Sequence, residues 1–175
     1  PLRERLLGEI DAARRAAGAA GLYATHDAAE ALAIADRVAV IRAGRIVQIG
    51  PPREIYEAPA DPWTARLTGP AAELEAVLVG EIGDLAEIDV AGVRVRVALT
   101  APGTATPGPV ALLVRPDWVA LGGPLPGRVL RVRFRGSHTD VDLAAPAGEV
   151  TVRRPGPPSV AVGDTPGWTL VRAHR

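Results

Sequence analysis

The composition of this chain changes after Gly69, and that change limits what the chain can fold into. Up to Gly69, apolar residues recur at both helical and strand spacing, which predicts an α/β structure. Beyond Gly69, short apolar segments are separated by glycine and proline, as is typical of a small β-barrel or sandwich. The sequence therefore predicts two domains, an α/β part over residues 1–70 and an all-β barrel over residues 71–175.

The first part opens with an amphipathic helix that ends near Gly18. Its apolar face is formed by Leu2, Leu6, Leu7, Ile10 and Ala13. The next segment predicts a short strand over Leu22–Ala24, a polar turn, and a second helix from Ala28 to Asp36.

His26 lies in that polar turn and is the first candidate functional residue. Asp27 can cap the second helix, and Glu30 stands three residues later, where a capping box has an acid. His26 is then presented at the end of a strand and beside a helix N-terminus, a place where ligands gather in open α/β sheets.

A β-hairpin is predicted after the second helix. Apolar residues alternate over Arg37–Arg42 and Arg45–Gly50, and Ala43-Gly44 between them fits a tight turn. A proline pair then opens a short helix over Arg53–Glu57, and a further turn of helix is predicted over Trp63–Leu67.

Eight strands are predicted in the second part from their apolar alternation. They are Glu75–Glu81, Leu85–Val90, Val93–Leu99, Pro109–Val114, Gly127–Phe134, Thr139–Leu143, Glu149–Val152 and Trp168–Val171. Ala91-Gly92 fits a hairpin turn, and a loop is predicted over Gly103–Pro109.

Lysine and cysteine are missing from the chain, and their absence excludes certain sites. All twenty basic residues are arginine, and a phosphate-binding P-loop requires a lysine, so this chain holds no P-loop. Without cysteine it has no disulfide and no thiolate zinc site. No apolar run approaches the ~20 residues that span a bilayer. The chain begins with proline instead of methionine, so we expect a fragment of a longer protein.

The residues around His26 resemble the histidine-switch region of ATP-binding-cassette (ABC) ATPases. The matching residues are Thr25-His26-Asp27 and the stretch from Glu30 to Ile41, followed in order by Ala43–Gly50, Pro52–Tyr56 and Ala58–Trp63. This ordered series is similar to the nucleotide-binding subunits of bacterial binding-protein-dependent importers. Ala28 and Ala29 depart from that family, which often carries glutamine or a second acid there.

The second part resembles the TOBE domain that follows the ATPase domain in those subunits. The similarity rests on Val114–Asp117, Gly127–Val129 and Gly136–Thr139. The resemblance implies that residues 1–70 are the end of a P-loop ABC ATPase domain and that residues 71–175 form an OB-like TOBE barrel.

The resemblance also implies a catalytic and nucleotide-binding role for His26. Its imidazole would contact the γ-phosphate of ATP in an intact subunit, with Mg²⁺ as the accompanying metal. Phosphoryl transfer depends on donors positioned around a spreading negative charge, and a histidine can donate through one ring nitrogen. Because the P-loop and the catalytic glutamate of the family are missing here, we expect the chain alone to be inactive.

Partners follow from the same resemblance. An intact subunit would pair with a second ATPase subunit and with transmembrane permease subunits, peripherally, at the cytoplasmic face of a bacterial membrane. Iron(III), polyamines, sugars, phosphonates and thiamine are transported by systems of this kind, and the sequence does not choose among them.

Several other polar residues are interpreted structurally. We expect His138 to be a loop residue with a local hydrogen bond, and His174 to lie in a solvated tail. The histidines lack the spacing of metal ligands, so no structural metal is predicted. Arg131, Arg133 and Arg135 share one strand face; we expect that face to be solvated and opposite a packed Val132 and Phe134, with an anion-binding or regulatory surface as the alternative.

The last group of predicted residues concerns turns and packing. Arg115-Pro116-Asp117 is predicted to fix a turn, and Tyr56 and Trp63 are predicted to be packing anchors. Asp140 and Asp142 share a strand face, and nothing near them in the sequence indicates paired-carboxylate catalysis.

An alternative function is an autonomous OB-like module that binds nucleic acid or a small oxyanion. Each half of the chain is electrically neutral, with nine arginines against nine acids through Gly69 and eleven against eleven after it. Neutrality removes the usual electrostatic support for nucleic acid. The possible stacking residues Trp118, Phe134 and Trp168 are not grouped on one strand.

Overall fold

The computed structural model of the chain describes residues 2–82, 85–100 and 106–175. These residues form two compact units that divide between Gly69 and Pro70. Part of the predicted loop over Gly103–Pro109 lies outside the described residues.

The first unit contains four helices and one hairpin. In chain order these are α1 (Leu2–Ala16), α2 (Ala28–Ile34), β1 (Val38–Arg42), β2 (Arg45–Gly50), α3 (Pro52–Glu57) and α4 (Pro62–Thr68). The predicted helices and the predicted hairpin are confirmed, although α2 ends two residues earlier than expected. At the hairpin turn, Ala43 and Gly44 have φ values of 49° and 76°, which is the left-handed geometry that matches the twist of a two-residue hairpin.

The predicted strand over Leu22–Ala24 is wrong. These residues are irregular, and the side chain of Leu22 is fully exposed. A strand needs a neighbour for its backbone hydrogen bonds, and in the described part of this unit β1 and β2 pair only with each other. The apolar run therefore has the composition of a strand but no sheet to join.

The apolar face of α1 is covered only in part. Leu7 is buried, whereas Leu6 and Ile10 are more than half exposed. Near the C-terminal end of the helix, Arg14 and Arg15 both bond to Asp36, with N–O distances of 3.2 and 3.0 Å. These surface ion pairs connect α1 to the residues that follow α2.

The second unit is built almost entirely from strands. They are β3 (Ala72–Ile82), β4 (Leu85–Val90), β5 (Val93–Leu99), β6 (Gly108–Val114), β7 (Val119–Pro126), β8 (Arg128–Phe134), β9 (His138–Ala145), β10 (Gly148–Pro155), β11 (Gly167–Leu170) and β12 (Arg172–Ala173). All eight predicted strands are confirmed, as is the turn at Ala91-Gly92, where both residues have positive φ. A short 3-10 turn, Pro116–Trp118, precedes β7.

In the described part of this unit, three sheets enclose the core. Their strand orders are β12-β5-β4-β3-β6, β10-β9-β8 and β11-β7. Every named pair is antiparallel except β12 with β5. Their inner faces supply one continuous cluster of buried valine, leucine and isoleucine side chains around Trp168. The sequence prediction of an α/β region followed by an all-β, OB-like unit is confirmed.

Two glycines allow β7 and β11 to approach closely. A Cβ added at Gly123 would overlap the backbone carbonyl of Trp168, and one added at Gly167 would overlap the carbonyl of Gly123. The pairing is irregular at this point, between Gly167 and Trp168. Only residues without side chains fit here.

The C-terminal residues are held in the five-stranded sheet. Arg172 pairs with Ala98, Ala173 pairs with Leu99, and the backbone of His174 exchanges two hydrogen bonds with Leu113. The Nδ1 atom of His174 lies 2.9 Å from the Thr100 hydroxyl. The prediction that His174 lies in a solvated tail is therefore wrong.

In the described part of the chain, no helix combines the length and the apolar character needed to cross a membrane.

Candidate functional site

His26 is an exposed side chain at the entrance of α2. It occupies a bend between an irregular segment and the helix. Within the described residues, its imidazole makes no hydrogen bond and no ion pair, so both ring nitrogens are available to a ligand.

Asp27 fixes the helix that begins beside His26. Its Oδ1 atom accepts hydrogen bonds from the amides of Ala29 at 3.0 Å and Glu30 at 3.4 Å. This satisfies two of the amides that are otherwise unpaired at a helix start. The prediction that Asp27 caps the helix is confirmed, and the carboxylate is oriented toward the backbone.

A buried carboxylate supports the same turn. Glu30 is 8% exposed and accepts hydrogen bonds from the hydroxyls of Tyr23 and Thr25, at 3.1 and 2.9 Å. The Thr25 hydroxyl in turn accepts from the amide of Asp27 at 3.0 Å. The Thr25 hydroxyl therefore connects the backbone of Asp27 to the carboxylate of Glu30. The sequence had instead predicted a capping box formed directly by Asp27 and Glu30.

An open groove of about 410 Å³ lies next to His26. One wall is the start of α2, from His26 to Ala29, and the other is the end of α4, formed by Leu67, Thr68 and Gly69. The Thr68 hydroxyl is held by the carbonyls of Thr64 and Ala65, at 3.1 and 3.0 Å. The groove thus combines one free imidazole with a largely apolar lining.

The sequence did not indicate the second wall of this groove. Leu67, Thr68 and Gly69 follow His26 by about forty residues, and no periodicity connects the two segments. Tyr23 was also missed, because its role depends on the burial of Glu30. The pattern of Thr25, Asp27 and Glu30 was the only local signal of this hydrogen-bond network.

The predicted arginine face in the second unit is only partly solvated. Arg131 and Arg135 are exposed, as expected. Arg133 instead makes a two-pronged ion pair with Asp142, at 2.6 and 2.7 Å, and Asp142 also accepts from the Thr151 hydroxyl at 2.9 Å. Both Asp140 and Asp142 are thus engaged with arginines across neighbouring strands, because Asp140 is bound by Arg153.

Phe134 was predicted to be packed, and this is wrong. Val132 packs against the core, but Phe134 is 55% exposed. A register shift interrupts β8 between Val129 and Arg131, and Phe134 pairs with Thr139 at the end of the ladder. The simple alternation of the strand therefore does not predict which side chains are covered.

We expect the free energy of unfolding of the second unit to depend on pH through Asp140. The hydrogen bonds from Arg153 hold the pKa of Asp140 below its ordinary value, so its ionised form stabilises the fold. This contribution is complete above the ordinary aspartate pKa of about 3.9 and is lost as the pH falls through the lower folded-state pKa. Replacing Asp140→Asn should lower the free energy of unfolding by about 2 kcal/mol at pH 7.

Urea unfolding at several pH values tests this expectation. The difference between Asp140→Asn and the parent chain should shrink below about pH 4. Asp117→Asn is the matched control, because Asp117 is half exposed and its contact with Arg153 is 3.9 Å. Equal effects of the two substitutions at pH 7 would contradict the prediction.

Arg115 lies at the predicted turn and is fully buried. Its guanidinium lies 5.8 Å from the centre of the Trp118 ring and donates to the carbonyl of Pro70 at 3.5 Å. The 3-10 turn that follows confirms that Arg115-Pro116-Asp117 forms a turn. A buried guanidinium that lies over an aromatic face and donates to a backbone carbonyl indicates a structural role.

The remaining predicted residues also have local partners. The Nδ1 atom of His138 lies 3.1 Å from the Ser137 hydroxyl, which confirms the expected local hydrogen bond. The prediction that His138 lies in a loop is wrong, because His138 is the first residue of β9 and pairs with Pro155. Tyr56 and Trp63 are half-buried. Within the described residues, no group of histidine and acidic side chains could hold a metal ion.

The aromatic residues of the second unit do not form a base-stacking surface. Trp118 is 7% exposed, and Trp168 is fully buried. Phe134 is therefore the exposed one of the three predicted stacking residues, and ordinary single-strand binding uses several such rings.

Similar proteins were found for most of the chain. A family model for the TOBE domain matches residues 112–172. The Fe(3+) ions import ATP-binding protein of Agrobacterium fabrum is 34% identical, over 86% of this chain and 43% of that protein. The spermidine/putrescine import ATP-binding protein of Methylococcus capsulatus is 35% identical, over 99% of this chain and 50% of that protein. The Fe(3+) ions import ATP-binding protein of Streptomyces avermitilis is 39% identical, over 81% of this chain and 39% of that protein. The chain spans about half the length, or less, of these curated relatives.

Proposed function

The chain is a C-terminal ABC ATPase region with a TOBE domain, and from this premise we propose that it works within the ATP-hydrolysing subunit of an importer for a small solute. Relatives named for the import of Fe(3+) ions and of spermidine/putrescine support this proposal. Fe(3+) and polyamines are both cations, and we propose no particular solute for this chain.

His26 carries the proposed chemistry. The supporting observation is its free, exposed imidazole beside the capped start of α2, on one wall of an open groove. A donor in that position can stabilise the charge that develops on a γ-phosphate and can orient the attacking water. Asp27 and the buried Glu30 hold the turn in place, and neither acts on the nucleotide.

ATP and Mg²⁺ are the proposed substrate and metal of the intact subunit. The acidic groups near His26 do not fit a magnesium site, because Asp27 caps α2 and Glu30 accepts from two hydroxyls. We therefore assign no magnesium ligand and no metal-dependent step to this chain. Its contribution to hydrolysis is the single imidazole.

Residues 1–70 are proposed as the end of the ATPase domain and residues 71–175 as the TOBE domain. We further propose that the intact subunit forms a homodimer and binds transmembrane permease subunits. This places it peripherally at the cytoplasmic face of a bacterial membrane. Nucleic acid is not a proposed partner, since the second unit is neutral and exposes one aromatic ring from the candidates above.

The isolated 175 residues should bind ATP with Mg²⁺ no more tightly than about 1 mM, which corresponds to roughly 4 kcal/mol. One imidazole cannot replace the lysine and backbone amides of a phosphate-binding loop. Isothermal titration of the chain with ATP and Mg²⁺ measures this affinity, and inorganic phosphate serves as the control ligand. A micromolar dissociation constant for ATP would contradict the proposed division of the site.

A further inference from the structure

Gln48 bridges β2 to the segment between α3 and α4. Its Nε2 atom donates to the carbonyl of Ala58 at 2.9 Å, and its Oε1 atom accepts from the amide of Ala60 at 2.8 Å. Pro59, between these two residues, is buried. Both ends of one carboxamide therefore fix a link that has no helix or strand of its own.

The start of α4 is attached to the same hairpin. Asp61 caps α4 by accepting from the amide of Thr64 at 2.6 Å, and this bond lowers the pKa of Asp61. Arg42 of β1 lies 3.6 Å from the Asp61 carboxylate, and its guanidinium is 5.1 Å from the centre of the Trp63 ring. Arg42 of β1 thus contacts the cap and first turn of α4, and Gln48 of β2 holds the residues that lead into them.

The position of this first turn decides where the groove wall lies. α4 has seven residues, about 10 Å of helix at 1.5 Å per residue, so its two ends move together. Thr64 and Ala65 in its middle are fully buried. Its last turn and Gly69 form the wall that faces His26.

We propose that Gln48 is a positioning residue for the His26 groove. Through Ala58 and Ala60 it sets the entry of α4, and through α4 it sets the distance between the wall at Leu67–Gly69 and the start of α2. The effect on groove geometry is independent of any ligand, and its consequence for ATP turnover rests on the proposed function.

The geometric part is tested by NMR on the 175-residue chain. Gln48→Leu keeps the approximate size of the side chain and removes both hydrogen bonds. We expect shifts in the amide signals of Ala28 and Ala29 and in the imidazole signals of His26. Arg53→Ala is the control in the same unit, because Arg53 is exposed and pairs only with Glu57 among the described residues. Shifts confined to β2 and residues 58–60 would overturn the proposal.

A second variant distinguishes the proposed positioning role from a simple loss of folding. In Gln48→Glu the introduced carboxylate can still accept from the Ala60 amide, but it can donate to the Ala58 carbonyl only when protonated. The amide signals of Ala28 and Ala29 should therefore approach those of the parent as the pH falls below about 4.3, the ordinary glutamate pKa, with parent and variant compared at each pH. If Gln48→Glu stays as different from the parent at low pH as at neutral pH, the positioning role is wrong.

Turnover separates this proposal from the proposed function. In the intact subunit, Gln48→Leu should lower kcat for ATP roughly tenfold through a misplaced groove, with less than about a twofold change in KM because the groove is not the main nucleotide-binding element. If His26→Ala reduces hydrolysis but Gln48→Leu leaves kcat unchanged, the positioning role is overturned. If His26→Ala itself leaves hydrolysis unchanged, the function proposed for His26 fails, whatever the NMR result.

Discussion

Replacing His26→Ala in the intact subunit should reduce the turnover of ATP by about 10²- to 10³-fold, the usual effect of removing one donor to a developing oxyanion. The imidazole is exposed and has no partner within the described residues, so its loss removes no structural contact. The unfolding transition of the variant should therefore match that of the parent. Steady-state phosphate release measures the turnover, and circular dichroism during heating measures the stability.

Two further variants serve as controls for the effect of His26→Ala on turnover. His138→Ala removes a histidine whose interaction is local to the second unit, and it should leave turnover unchanged. His26→Gln keeps a donor near the same position and should retain more activity than His26→Ala. Turnover of His26→Ala within a factor of three of the parent would remove His26 from the proposed chemistry.

Replacing Trp168→Ala should cost about 4 kcal/mol of unfolding free energy, within the range measured for large aromatic residues in protein cores. Trp168 is fully buried in the cluster that the three sheets share, and its indole nitrogen donates to the carbonyl of Pro126 at 2.9 Å. Gly127 lies against the indole and contributes no side chain that could fill the cavity. Urea unfolding followed by circular dichroism measures the loss.

Phe134→Ala is the matched aromatic control for this experiment. Phe134 lies in the same unit but is more than half exposed, so its removal should cost less than about 1 kcal/mol. Trp168→Phe should fall between the two, since it keeps an aromatic ring and loses the hydrogen bond to Pro126. Equal losses for Trp168→Ala and Phe134→Ala would show that the shared core does not depend on Trp168.

Local sequence signals predicted most of the elements. The bounds of the hairpins were predicted from two signals, the alternation of apolar residues in β4 and β5 and the tight turns at Ala43-Gly44 and Ala91-Gly92. The turn residues and the strand period indicate the same bounds. The proline pair at positions 51 and 52 marked the start of α3 for a similar reason. These features depend on residues only a few positions apart.

Features that depend on distant residues were not predicted. β7 was missed because Gly122, Gly123 and Pro124 interrupt its apolar pattern. The need for glycine at position 123 is explained only by the close approach of β11. β12 is two residues long and exists only because β5 lies beside it. At the candidate site, the sequence indicated His26 and the cap at Asp27, but the opposite wall depends on how α4 packs.

The pairing of β12 with β5 has a consequence for the synthesis of the chain. Residues 172–173 complete a sheet whose partner strand is made more than seventy residues earlier. During translation, the edge of β5 that β12 covers stays unpaired until residues 172–173 have left the ribosome. An unpaired strand edge is prone to association with other chains. Ribosomes that stop before Arg172 would therefore release a second unit with that edge open, and we infer that such products are more prone to aggregate than a chain that contains β12.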